Sequence, residues 1–342
     1  DSRVSLLVKN KPMKMRRTEQ RTGPNVRYIG VDDVALQPGR AARAATYLSS
    51  DRPPHKPEPW PKSVPVQKDA KIVLDAGHRI EWGWGVTLYL VTKGIAAGVA
   101  MLAPFAGLLG LEGAAARFTP EIIALIFIGI TGILLVEDLK KPLAFIRLFT
   151  RPNWKSWLVK GAWIINAFVA ITILSLLFRW LGSDVLANVL RWMNVLAGAA
   201  VAGYTAFLFN QCEGRDLWQS KILLPHLLVQ AILCGAVMLM LCGADRGALK
   251  IVAAIAAISH AALSLIERYR SHTTDNATQA AGFLGVVKLG PLRGWRDGLL
   301  IGVIGTILLI FVAPAIAFIP ALLGLLMYEH AFIRAGQLPP LS

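Results

Sequence analysis

The stretch Glu81–Gly110, EWGWGVTLYLVTKGIAAGVAMLAPFAGLLG, contains the first apolar run in the chain long enough to cross a bilayer. At 1.5 Å rise, roughly 20 residues span a hydrocarbon core of about 30 Å. Polarity within the stretch is ordered. Trp82, Val86, Tyr89, Lys93 and Ala97 follow at helical spacing, so they form one stripe on a single face. Gly94 and Gly98 place two small residues close to that stripe, which lets a neighbouring helix approach at backbone distance. A charged side chain at mid-membrane costs at least about 2.5 to 3.5 kcal/mol. Lys93 is therefore expected to face protein or a wet cavity rather than lipid. An outward proton path, a salt bridge and snorkelling are its alternative roles, and mid-helix depth weakens only the last.

Seven further runs of this kind follow, so the expected fold is all-α, a polytopic membrane protein of about eight helices in bundles with an extended N-terminal arm. The spans are expected near 84–109, 119–137, 157–181, 186–210, 222–243, 249–267, 295–313 and 316–334. Pro314 and Pro320 break the last apolar run in two. Residues 271–295 are polar and then amphipathic, and are expected to form a surface helix. Of 342 residues 55% are hydrophobic and only 17% charged, too apolar a balance for an ordinary soluble globule. The net charge of +15 is concentrated in the arm and the loops, which fits membrane orientation and contact with lipid better than nucleic acid. The three cysteines, Cys212, Cys234 and Cys242, contain no C-x-x-C pair and are too few to hold a four-thiolate iron–sulfur cluster by themselves.

Residues 1–80 carry sixteen Lys/Arg against eight Asp/Glu, with prolines crowded into 51–65. They are expected to lie extended along a partner rather than to fold alone. They contain no signal-peptide core, and the start at Asp1 fits a fragment or a processed product. The membrane domain is placed at 81–335 and a short tail at 336–342. With the N-terminus inside, the inner connections hold twelve basic residues and the outer ones five: Arg117, Arg179, Arg191, Arg246 and Lys250. That asymmetry places both termini in the cytoplasm.

This topology brings Tyr89, Tyr204 and His260 to a common depth, about 10 Å below the cytoplasmic surface. Glu137, Asp138, His226, Glu267, Glu329 and His330 stand at helix ends on that same side, and the outer half is expected to hold no comparable polar set.

Four segments carry a family resemblance: the Trp-x-Trp start with its Gly-rich continuation (81–100), EDLKKPLAFIRLFTRPNWKSWLVKGAW (137–163), GYTAFLFNQCEGRDLW (203–218) and the closing LLMYEHAFIRAGQ (325–337). Together they resemble the NrfD/polysulfide-reductase membrane-anchor family over most of 80–342. The resemblance implies a subunit that binds quinone near the start of its first helix, holds no haem, and exchanges electrons with a four-cluster ferredoxin-type subunit. A molybdopterin-type catalytic subunit completes such complexes, which reside in the bacterial or archaeal cytoplasmic membrane. Iron–sulfur clusters are then expected on the partner, or on a domain preceding Asp1. Indeed GPNVRYIGVDDVALQPG (23–39) resembles the tail of such a ferredoxin subunit, the alternative being a plain cytosolic arm.

The family's quinone contacts correspond here to Tyr89 and Tyr204. The chain departs from the pattern in having Tyr89 where His is found and Val86 where Asn is found. A phenol with a pKa near 10 shuttles protons less well than imidazole. Menaquinone or ubiquinone needs hydrogen-bond partners for two carbonyl oxygens and a route to water for two protons. Tyr89 and Tyr204 can donate. Trp82 and Trp84 belong either to the interfacial belt or to the pocket mouth. A proton path would draw on Lys93, Asp138, His260, Glu267 and Glu329, with His226 and His330 as further links. Asp138 can equally pair with Lys140 or Lys141 at its helix end, and His260 can equally serve a structural hydrogen bond. Haem ligation by His226, His260 and His330 is disfavoured by their unequal depths. A subunit of this kind does not hold the complex's catalytic centre, and substrate specificity resides on another chain. An ion-conducting subunit and a purely structural anchor are the readings from other classes.

Overall fold

Apolar runs of this length have one stable answer in lipid, because every backbone N–H and C=O must be satisfied within its own segment. The computed structural model describes residues 82–137, 145–212, 214–272 and 274–339, and in them eight helices are long and apolar enough to span a membrane. The arm 1–80 with its segment 23–39, and Asp138 with Lys140 and Lys141, lie outside the described residues. The spans are α1 (Trp84–Leu102), α2 (Gly113–Glu137), α3 (Trp157–Trp180), α4 (Asp184–Asn210), α5 (Leu223–Leu241), α6 (Gly247–Tyr269), α7 (Gly294–Val312) and α8 (Phe318–Gln337).

Helix α1 ends at Leu102 rather than near 109, as Pro104 falls within a short turn, Ala103–Phe105, and two further expectations differ for identifiable reasons. Helix α2 begins at Gly113 and runs through Pro120 instead of starting beside it. Proline lacks the N–H that would bond the carbonyl four residues back, which is Ala116. That carbonyl is satisfied by Arg191 Nη2 at 2.9 Å, and the Arg117 carbonyl by the same nitrogen at 2.7 Å. Residues 271–295 form only a short helix, Asp275–Leu284, capped by the Thr274 hydroxyl accepting from Ala277 N. A two-residue hairpin, Lys288–Leu289 with Leu292–Arg293, then leads into α7. Pro314 ends α7 as expected, whereas Pro320 sits in the first turn of α8, where no N–H is needed.

The helices form two groups of four. In the first, α1 packs on α2 and α4, and α3 closes the ring against both; in the second, α5 packs on α6 and α6 on α7. Helix α8 meets α7 through Gly298, Gly302 and Gly324, where any added Cβ would collide with the facing backbone. The two groups join along α1 and α5. A Cβ on Gly98 would overlap the Ala231 carbonyl, and one on Gly235 would overlap the Gly98 carbonyl carbon. Lipid supplies no hydrophobic drive to bring helices together, so this backbone-level approach and its dispersion contacts hold the seam. Burial follows from it: α1, α5 and α8 bury 83%, 72% and 67% of their spans, and the other five no more than 33%. The other five leave most of their surface exposed.

Candidate functional site

The stripe read along α1 is an interior face. Val86, Tyr89, Lys93 and Ala97 are all buried, Lys93 to 1% exposure. The Lys93 ammonium, about 14 Å in from Trp84 by helical rise, donates to the Thr205 hydroxyl and, at 3.2 Å, to the Ala202 carbonyl, both on α4. It also lies 4.9 Å from the Tyr204 ring centroid and 5.9 Å from that of Tyr89, within cation–π range. Tyr204 is fixed from behind by Gly161 of α3, where a Cβ would strike its ring. The two tyrosines singled out from sequence thus stand on the same side of the membrane, and flank one buried cation.

Facing Lys93 is a small cavity at the seam, with room for about one water molecule. Gly94 of α1, Gln230 and Cys234 of α5, and Leu325 and Glu329 of α8 line it with Lys93. Gln230 and Glu329 share its wall, and Glu329 and Lys93 interact electrostatically. A lone buried ammonium is costly. Here a hydroxyl, a carbonyl, two π faces and an acidic group across the cavity offset that cost.

One turn before Gln230, His226 begins a second set. Its Nε2 lies 2.7 Å from His260 Nδ1 on α6, and its Nδ1 lies 3.3 Å from the Tyr328 hydroxyl on α8. Ser264 lies beside Tyr328, and its hydroxyl accepts from Trp295 Nε1 at 2.9 Å. One turn farther along α6, Glu267 accepts from Ser220 at 2.8 Å, and Arg270 stands 3.6 Å away. The Glu267 carbonyl accepts from His272 Nε2 at 3.0 Å. His272 lies beyond α6; its burial and the neighbouring Arg270 hold its pKa below the ordinary histidine value, against the opposing pull of that hydrogen bond. His260 is thus hydrogen-bonded to His226, a partner the helical spacing alone did not identify.

At the α1 start, Trp82 stacks on Trp218 at 4.8 Å and lies 5.4 Å from Phe209. Trp84, 45% exposed, stacks on His330 at 4.3 Å with the rings 20° apart.

The far half of the membrane is not apolar, and the expectation of no comparable set there is corrected. Glu121 accepts from Arg191 Nε at 2.5 Å, from Arg191 Nη2 at 2.8 Å and from Ser175 at 3.1 Å. Arg179 donates to Asn188 at 2.9 Å and lies 3.6 Å from Asp184, which also pairs with Arg117 at 3.0 Å. Arg179 and Arg191, counted from sequence as loop charges, are buried helix residues at 5% and 6% exposure.

Sequence reasoning missed Gln230, Tyr328, Thr205 and this ion pair. Gln230 was findable as the residue one turn beyond His226, and Tyr328 as the neighbour of Glu329. The Glu121–Arg191 match lies seventy positions apart, and helical spacing relates only residues within one helix.

A family model described as polysulphide reductase, NrfD, matches residues 73–338. Comparison with curated proteins gives no match. Members of this family are membrane subunits of redox enzyme complexes, and generally partner with iron–sulfur and molybdopterin subunits. The match takes in all eight membrane helices, since it opens before α1 and closes after α8; the chain belongs to the NrfD (polysulphide reductase) family.

Proposed function

We propose that this chain is the quinone-reactive subunit of its complex, exchanging electrons with a ferredoxin-type partner at the cytoplasmic face, where both termini lie. The observation that carries the reading is the gathering of Tyr89, Lys93, Tyr204 and Glu329, from three helices, at similar depth on one side of the membrane. A quinone needs two hydrogen-bond partners and a proton route, and that donor set fits both needs. Menaquinone or ubiquinone, when bound, supplies two-electron, two-proton chemistry. The Tyr89 and Tyr204 hydroxyls would hold its carbonyl oxygens, with Trp82 and Trp84 at the mouth. Lys93 and Glu329 would hold protons at the Nζ and carboxylate atoms, and the His226–His260–Tyr328–Ser264 set would connect them to Glu267 near the aqueous face. The molybdopterin-type subunit would handle the complex's other substrate.

The test is quinol turnover by the purified complex. Tyr204→Phe should reduce it by at least tenfold, the loss of about 1.4 kcal/mol in one hydrogen bond to the reacting ring. Normal turnover after replacing Tyr89, Tyr204 and Lys93 together removes the reading. The buried Lys93, His260 and Glu267 also suit an ion-conducting subunit without redox chemistry. A chain that is stable alone, without soluble partners, and that carries current would favour that alternative.

A further inference from the structure

Residues 139–160, which lead from α2 into α3, hold six Lys/Arg and no Asp/Glu, and the next acidic residue is Asp184. Arg147, Arg151 and Lys155 are exposed, with no carboxylate partner among the described residues. Other cations at this end of the bundle are engaged within the protein. Arg268 bonds the Ala281 and Gly282 carbonyls, Arg270 the Ser220 hydroxyl and Arg296 the Asp297 carboxylate.

The same segment carries an aromatic face. Phe145 and Phe149, one turn apart, meet at 5.4 Å, and Phe149 and Trp154 each lie 5.7 Å from the Trp163 ring. Arg147, two residues from each phenylalanine, stands on the opposite side of that turn. Trp163 lies six residues into α3, about 9 Å past its start by helical rise. It is 42% exposed on a helix that buries only 22% of its span, so it belongs to the outer flank of the bundle. Trp154, seated against it, is 55% exposed. Gln211 of α4 fixes the turn between them, accepting from Trp157 N at 2.7 Å and donating to the Lys155 carbonyl at 2.9 Å.

From this arrangement we infer that 145–160 binds an anionic phospholipid, its phosphate held by Arg147, Arg151 and Lys155 and its acyl chains laid along Trp154 and Trp163. Guanidinium matches phosphate geometry, and indole rings favour the boundary between headgroups and hydrocarbon. An acidic soluble partner would match the charges but not the rings, because Trp163 stands within a membrane span. The site does not depend on the quinone reading.

The experiment places the purified complex in nanodiscs of phosphatidylcholine with a minor share of phosphatidylglycerol, and brominates the chains of each lipid in turn. Bromine quenches nearby tryptophan, so brominated phosphatidylglycerol should quench more per molecule than brominated phosphatidylcholine. Trp154→Phe should remove the largest part of that excess. Replacing Arg147, Arg151 and Lys155 together by Gln should weaken the preference at least tenfold, since each basic residue near an anionic headgroup is worth about fivefold. Raised salt should weaken it in the parent as well. Equal quenching by the two lipids in the parent overturns the site. So does a triple variant that sheds its soluble subunits with the lipid preference unchanged, which assigns the surface to an acidic protein instead. If the triple variant fails to assemble, the parent comparison and its salt dependence decide.

Discussion

The two halves of the membrane domain use buried polarity in opposite ways. In the far half, Glu121 receives three donors and Arg191 also bonds the Ala116 carbonyl that Pro120 leaves unbonded and the Arg117 carbonyl beside it. Charge, counter-charge and helix defect cancel locally around the Glu121–Arg191 pair, within α2, α3 and α4, while Arg117 and Arg179 beside it each keep an Nε without a partner among the described residues. In the near half, Lys93 and Glu329 face each other across a cavity at the seam, one His330 nitrogen has no partner among the described residues, and a Glu267 oxygen is beyond hydrogen-bond distance of Arg270. Satisfied buried charge fixes a structure, while incompletely satisfied buried charge keeps capacity for protons or ligands. On that argument the Glu121–Arg191 pair is architectural and the near set functional.

Experiments can break or sharpen this contrast. The largest effect is expected at the seam on which both halves depend. Gly98→Leu should leave no folded protein in the detergent-extracted, size-resolved fraction, because the side chain would occupy the Ala231 carbonyl position. Gly129→Leu, which meets nothing within 4 Å, should accumulate like the parent. Next is the far half. Glu121→Ala strands a buried guanidinium and should cost about 3 to 5 kcal/mol in thermal unfolding, whereas the paired change Glu121→Leu with Arg191→Met should recover most of it. Turnover per folded complex should hold in the paired variant; if it collapses, the far cluster is not merely architectural.

In the near half the order of effects should reverse. Glu329→Gln should lower quinol turnover on the order of a hundredfold, the low end of what a positioned acid–base group contributes, with little change in the unfolding midpoint. A large midpoint shift with turnover retained would reassign Glu329 to packing. The smallest effect concerns His272. Its folded pKa lies below the unfolded value of about 6.5, so its contribution is complete above that pH and lost as pH falls through the lower folded value. His272→Asn should flatten the decline of stability on acidification by less than about 0.5 kcal/mol. A steeper decline in the variant would contradict the sign.

The architecture was largely legible. Run length placed eight spans with boundaries mostly within three residues, because a lipid-crossing helix must be continuous and apolar. Spacing on α1 identified Tyr89 and Lys93 as one face, and depth counting brought Tyr204 to their level. The failures share a cause. Pro120 suggested a helix start, and only Arg191, reaching in from α4, makes the longer helix tolerable. Arg179 and Arg191 were counted with the loops because they lie near helix ends, yet both turn inward to carboxyl and carbonyl groups.

The sequence by itself determined that the chain crosses the membrane eight times, and which helix faces are polar, since both follow from local periodicity and the cost of exposing polar groups to hydrocarbon. Only the tertiary structure decided which polar faces meet: Lys93 with Thr205, His226 with His260, Glu121 with Arg191, Trp84 with His330. Such pairings depend on how whole helices dock through glycines such as Gly98 and Gly235, a long-range choice that the periodicity of any one helix does not encode.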